Sequence, residues 1–118
     1  RDPLLLALMS SENRAAAALG RTYPGGTSRF VEQMNKKAAA LDMHHSRFAD
    51  PAGLDAHNVS TASDLSKMLW AARQYPLITA SSTTTNSEVR PYTQRGPLTF
   101  NNTNRLLKNA DWHIGLSK

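Results

Sequence analysis

The sequence predicts an α+β chain in which helices dominate: a helical lobe over 1–80, then a short β hairpin and a final strand over 81–118. Apolar residues recur at helical spacing between caps and stops as far as Pro76. Beyond Pro76 the composition turns to Ser, Thr and Asn, and the alternating stretches are Thr83 to Tyr92, Pro97 to Asn101 and Asp111 to Leu116. A length of 118 residues with 40% hydrophobic and 19% charged residues suits one folded core and excludes a disordered chain.

Taken in order, Asp2 reads as an N-cap with Pro3 at the first helical position, leading into the apolar run Leu4 to Met9. Ser10 and Ser11 interrupt that helix, because short hydroxyl side chains compete for backbone hydrogen bonds. A second helix is expected from about Glu12 through Ala15 to Leu19, stopped by Gly20 and the Tyr23-Pro24-Gly25-Gly26 turn. Thr27 or Ser28 should cap a third, amphipathic helix with Phe30, Val31, Met34, Ala38 and Leu41 on one face. A loop follows, with a short strand at Ser46 to Phe48 and a turn at Pro51-Ala52-Gly53. Thr61-Ala62-Ser63-Asp64 reads as a capping box for a helix that packs through Leu65, Met68, Leu69 and Ala72 and stops at Pro76. Trp70 is expected in the core, and Trp112 either in the core or as a sugar-stacking platform beside the final strand.

Several function classes drop out on composition. With no cysteine there are no disulfides, thiolate metal sites or cysteine nucleophiles. His44 and His45 are adjacent, which throws their rings apart, and no His-Glu-x-x-His occurs, so neither a metal nor any other cofactor is expected. His57 and Asp55 could join a serine in a triad, yet no Gly-x-Ser-x-Gly marks a nucleophile. The longest apolar run, Leu4 to Met9, is far short of the roughly 20 residues that cross a bilayer, so no transmembrane segment is expected. The net charge of +5 lies mostly in the C-terminal half, where Arg90, Arg95, Arg105, Lys108 and Lys118 stand singly. That spread gives no basic stripe for nucleic acid. The chain opens at Arg1-Asp2-Pro3 without a methionine and is expected to be a piece of a longer product.

The sharpest constellation is Ser11-Glu12-Asn13, at the junction of a buried helix and an alanine-rich one, together with Lys118 after Ile114-Gly115-Leu116-Ser117. With Leu8-Met9-Ser10-Ser11-Glu12-Asn13-Arg14-Ala15-Ala16, the Tyr23-Pro24-Gly25-Gly26 turn, Pro51-x-Gly53-Leu54, Asn58-Val59-Ser60-Thr61-Ala62-x-Asp64-Leu65 and Asn102-Thr103-Asn104-x-Leu106, the whole chain resembles the serine D-alanyl-D-alanine peptidases. These are the low-molecular-mass penicillin-binding proteins, and the resemblance is to the penicillin-binding protein 7 type, a D-alanyl-D-alanine endopeptidase. It implies a penicillin-binding protein and β-lactamase-like (transpeptidase-like) α+β fold, of which this chain is mainly the α-rich lobe with a hairpin and one sheet strand.

In that family Ser-x-x-Lys, Ser-x-Asn and Lys-Thr-Gly converge on one site. Ser11-Glu12-Asn13 matches the second motif, Lys118 the first residue of the third, and Ser-x-x-Lys occurs nowhere in the sequence. The resemblance therefore implies Ser11, Asn13 and Lys118 as catalytic residues, Asn13 and Lys118 also as substrate-binding ones, with the nucleophile upstream of Arg1 and the chain alone inactive. It further implies peptidoglycan peptides as substrate, β-lactam antibiotics as ligands of the intact enzyme, and a periplasmic or cell-envelope location. The residue types suit that chemistry. A hydroxyl donates and accepts at once, as a proton relay must; an amide holds a lysine ammonium and a substrate carbonyl without adding charge; and a lysine offers fixed positive charge to a carboxylate.

Against this stand simpler readings. Ser11 and Asn13 can serve as helix caps, Lys118 as solvated surface, and the chain as a non-catalytic module that binds cell wall or a protein partner. Glu12 and Arg105 receive no role. The strand over 112–117, cut from its neighbours, is expected either to pair edge to edge in a dimer or to stay mobile with parts of 81–104.

Overall fold

The computed structural model describes residues 2–89, 98–108, 111 and 113–116. Among them the chain forms α1 (Asp2–Met9), α2 (Asn13–Thr22), α3 (Gly26–Ala40), α4 (Ala62–Ala72), α5 (Pro76–Thr83), β1 (Asn86–Val89), β2 (Leu98–Asn101) and a 3-10 turn at Arg105–Lys108. Helix α1 is the hub: it packs on α2, on α5 and on β2, while α2 packs on α3. This is why the Leu4 to Met9 run is apolar all round. Met9 is wholly buried and Ala7 nearly so, with Ala15, Ala38 and Met43 completing the buried core.

The helix ends depart from the sequence expectation in instructive ways. Glycine 20 does not stop α2, which runs on to Thr22. It is a buried point of close approach, since a Cβ there would lie 2.6 Å from Cγ of Pro51. Neither Thr27 nor Ser28 caps α3; the helix begins at Gly26, behind Gly25 in the left-handed region at φ 94°. Thr61 does cap α4, its hydroxyl accepting from the Asp64 amide at 3.0 Å. Asp64 does not reach back to close a reciprocal box and turns instead to the loop after α3, accepting from the His45 amide at 2.9 Å and the Ser46 hydroxyl at 2.7 Å.

Helix α4 is fastened by that carboxylate more than by apolar packing. Asp64 is its buried residue, whereas Leu65 and Leu69 are about 40% exposed and Trp70 67%. Trp70 is thus not core: the Arg73 guanidinium lies over its ring, 3.7 Å from the centroid. Trp112 lies outside the described residues.

Helix α5 was not legible beyond Pro76. Proline sits in its first turn, and its Ser and Thr hydroxyls bond back to carbonyls one turn earlier, Thr83 to Thr79 at 2.6 Å and Thr84 to Ala80 at 2.7 Å. Hydroxyls that would otherwise compete with the helix are absorbed by it.

The hairpin is as expected: β1 and β2 pair antiparallel with Asn86 opposite Asn101 and Val89 opposite Leu98. The strand at Ser46 to Phe48 reduces to a single bridge between Arg47 and Val59. Residues 113–116 form no strand and stand apart from the sheet of β1 and β2. Gly115 and Leu116 lie beside Leu69, Trp70 and Arg73 instead.

Candidate active site

The Ser11-Glu12-Asn13 segment spans the joint between α1 and α2, with Ser10, Ser11 and Glu12 connecting the helices and Asn13 opening α2. Ser10 ends α1, its amide donating to the Leu6 carbonyl at 3.1 Å, and the Glu12 amide reaches the same carbonyl at 3.3 Å. Two amides converging on one acceptor compress the chain between them. Ser11 takes up the compression with φ 52°, a left-handed conformation that costs a non-glycine residue on the order of 1–3 kcal/mol and clusters at functional sites.

Neither Ser11 nor Asn13 is the cap of α2. Glu12 is, in extended conformation at φ −73° and ψ 110°, its carboxylate accepting from the Arg14 amide at 3.1 Å and from Arg14 Nε at 3.0 Å. The Arg14 side-chain hydrogen bond, helped by the backbone one, holds the Glu12 carboxyl below the usual glutamate value. A residue to which the sequence assigned no role therefore performs the capping proposed for its neighbours. That leaves Ser11 exposed ahead of the helix and Asn13 exposed as its first residue.

Ser11 and Asn13 line one cavity of about 440 Å³, which continues over Leu4, Leu8, Leu19, Phe30 and Met34. A few polar groups in a mostly apolar hollow are the usual make-up of a ligand site. Lys118 lies outside the described residues, so the structure brings together two of the three predicted site residues. Arg105 is exposed in the 3-10 turn.

The joint is held by the Asn101 to Asn104 loop, part of the family resemblance in the sequence but with no role assigned to it there. Ser10 Oγ donates to the Asn101 carbonyl at 2.7 Å, and the Thr103 amide donates to the Met9 carbonyl at 3.0 Å. Between them Asn102 donates from Nδ2 to the Ser82 and Thr84 carbonyls at 2.7 and 2.8 Å, and from its backbone amide to Thr85 at 2.7 Å. Its Oδ1 accepts from the Asn104 amide at 2.8 Å. The one sequence signal was the Asn102-Thr103-Asn104 run itself, which no periodicity marks.

Other candidates resolve into turn chemistry. His57 Nδ1 lies 2.7 Å from Asp55 Oδ1 on an exposed loop, but the same oxygen accepts the His57 amide at 2.8 Å, an aspartate-centred turn. The His57 hydrogen bonds, backbone first, keep the Asp55 carboxyl below its ordinary value. Asp50 likewise binds the Ala52, Gly53 and Leu54 amides and the Asn58 side chain. Among the described residues no group of three or more His, Asp and Glu could hold a metal.

A family model described as D-alanyl-D-alanine carboxypeptidase matches residues 1–118. The chain belongs to that family. It is 54% identical over 118 residues to the D-alanyl-D-alanine endopeptidase of Pseudomonas aeruginosa, covering 100% of this chain and 38% of that protein. It thus spans well under half the length of that relative. Among solved structures, a D-alanyl-D-alanine carboxypeptidase from Mycobacterium tuberculosis matches with TM-score 0.84 at 29% identity, over 96% of this chain and 43% of that one. Penicillin binding protein 6B from Escherichia coli matches with TM-score 0.80 at 28% identity, over 93% and 33%. The penicillin-binding protein fold expected from the sequence is therefore the fold of this member of the carboxypeptidase family, seen here as a helix-rich portion with a two-stranded sheet.

Proposed function

We propose that these residues supply the Ser-x-Asn part of a serine peptidase that cleaves D-alanine-containing peptide bonds of peptidoglycan, in the manner of the endopeptidase it resembles at 54% identity. The observation that carries this reading is the joint itself, with Ser11 and Asn13 exposed on one cavity and the capping duty taken by Glu12. Side chains used for capping would be turned into the helix end.

In this reading a serine nucleophile and its lysine come from a Ser-x-x-Lys segment outside the 118 residues. The serine attacks the amide carbonyl, its proton passing to the lysine, and forms an acyl-enzyme that water hydrolyses. Ser11 relays the proton onward to the departing D-alanyl amine, its hydroxyl accepting from one side and donating to the other. Asn13 steadies the lysine ammonium through its carbonyl and the substrate carbonyl through its NH₂. Lys118 supplies positive charge for a peptide carboxylate and for the negative charge of the transition state. Penicillin acylates the same serine. A peptidoglycan substrate places the enzyme in the periplasm or cell envelope.

Intact-mass measurement tests the division of labour. The 118 residues alone should gain no mass from a β-lactam, whereas the longer protein containing them should gain one antibiotic and should cleave a cross-linked stem peptide. A stoichiometric adduct on the 118 residues would overturn the placement of the nucleophile. Failure of the longer protein to react would overturn the function.

A further inference from the structure

Resting on the reading of Ser11 as a proton relay, we propose that the loop Asn101 to Asn104 is a positioning strap for Ser11, with Ser10 and Asn102 as its positioning residues. Ser11 occupies a backbone conformation that a serine does not adopt unaided, and such a conformation persists only where its surroundings over-determine it. On the α1 side those surroundings are two bonds from the strap: Ser10 Oγ to the Asn101 carbonyl at 2.7 Å, and the Thr103 amide to the Met9 carbonyl at 3.0 Å. On the α2 side they are the Glu12 amide on Leu6 and the Glu12 carboxylate on the first turn of α2. Ser11 lies between these two fixed ends.

The Asn102 side chain anchors the strap. Asn102 spends both protons of its amide on the carbonyls of Ser82 and Thr84 and its oxygen on the Asn104 amide. Ser82 is 1% exposed, so these bonds are sheltered from competing water. The positioning path runs from the end of α5 through Asn102 to the Met9 carbonyl and the Ser10 hydroxyl, and ends at Ser11. A purely structural loop would need to hold α1 against the hairpin, but it would not need to grip α1 on the two residues immediately before the left-handed serine.

The test is a double-mutant comparison in the intact enzyme, reading the β-lactam acylation rate, kcat and KM for a stem peptide, and melting temperature. Ser10→Ala should lower acylation and kcat by roughly tenfold or more, the scale set by small misplacement of a reacting group, with KM little changed. Ser10→Thr, which keeps the hydroxyl, should hold the rate within about twofold of wild type. Because Ser10 acts through Ser11, Ser10→Ala combined with Ser11→Ala should be no slower than Ser11→Ala alone. Asn102→Ala should repeat the pattern. If Ser10→Ala fails to fold, Ser10→Cys, close in size and only a weak donor, takes its place. Should Ser11→Ala slow the enzyme while Ser10→Ala lowers only the melting temperature, the strap is structural and the proposal falls. An additive double mutant overturns it as well. Normal turnover in Ser11→Ala would instead remove the relay reading on which the proposal rests.

Discussion

The Ser46 hydroxyl donates to Oδ2 of Asp64 at 2.7 Å, tying the loop after α3 to the first turn of α4. The same oxygen accepts the His45 amide at 2.9 Å, and Lys67 stands 3.8 Å from Oδ1. A carboxylate with 2% of its surface exposed is thus fully engaged, and these donors, the Ser46 hydroxyl foremost, hold its carboxyl below the ordinary aspartate value of 3.8. A lowered folded-state value favours the charged form in the fold. Its stabilising contribution is complete above about 3.8 and is lost as pH falls through the folded value. Asp64→Asn should therefore be less stable than wild type at neutral pH, and the gap should close as the medium is acidified below that value. Denaturant melts of both proteins at neutral and acid pH check it, and a gap independent of pH would contradict the assignment.

Gly20 faces Pro51 with no room for a methyl group. Gly20→Ala gains helix propensity of up to about 1 kcal/mol, but the new Cβ would come within 2.6 Å of the Pro51 ring. Overpacking at about 1–3 kcal/mol outweighs the gain, so the substitution should lower stability. Adding Pro51→Ala should recover part of the loss. Thermal melts of the single and double variants measure both terms, and a stabilised single variant would show that the loop gives way.

The left-handed Ser11 makes a prediction of opposite sign. Glycine takes φ 52° without a Cβ penalty, so Ser11→Gly should leave stability unchanged or raise it by up to about 1 kcal/mol after the entropy cost of glycine is subtracted. If the hydroxyl is the relay, the same variant should lose activity. A stable, inactive Ser11→Gly protein is the expected outcome of paired melting and turnover measurements.

How far the fold could be read from sequence depended on whether a residue's neighbours were local. The apolar run before Ser10 and the Thr61 cap rest on contacts within a few positions, the hairpin strands carry their own alternation, and all three are where expected. Gly20 reads in the sequence as a helix stop, whereas what requires a glycine there is Pro51, far along the chain. Helix α5 was missed because Ser and Thr disfavour helix until their hydroxyls find carbonyls a turn earlier. At the candidate site, the Ser11-Glu12-Asn13 motif was legible by family resemblance, yet the division between a capping Glu12 and an exposed Ser11 and Asn13 was not. Spacing alone does not say which of three polar neighbours turns inward. Asn102 is legible as part of the family motif, but its anchoring role is not, since its partners Ser82 and Thr84 lie far from it in sequence.

Ser11→Ala in the intact enzyme isolates the contribution of the Ser11 hydroxyl. The alanine variant keeps a Cβ and removes only the hydroxyl. The proposed relay predicts acylation or turnover slower by roughly 10²–10⁴-fold with the melting temperature nearly unchanged, the loss typical of a missing proton-transfer group. Turnover at the wild-type rate, with or without a drop of about 1 kcal/mol in stability as for a lost cap, would contradict it.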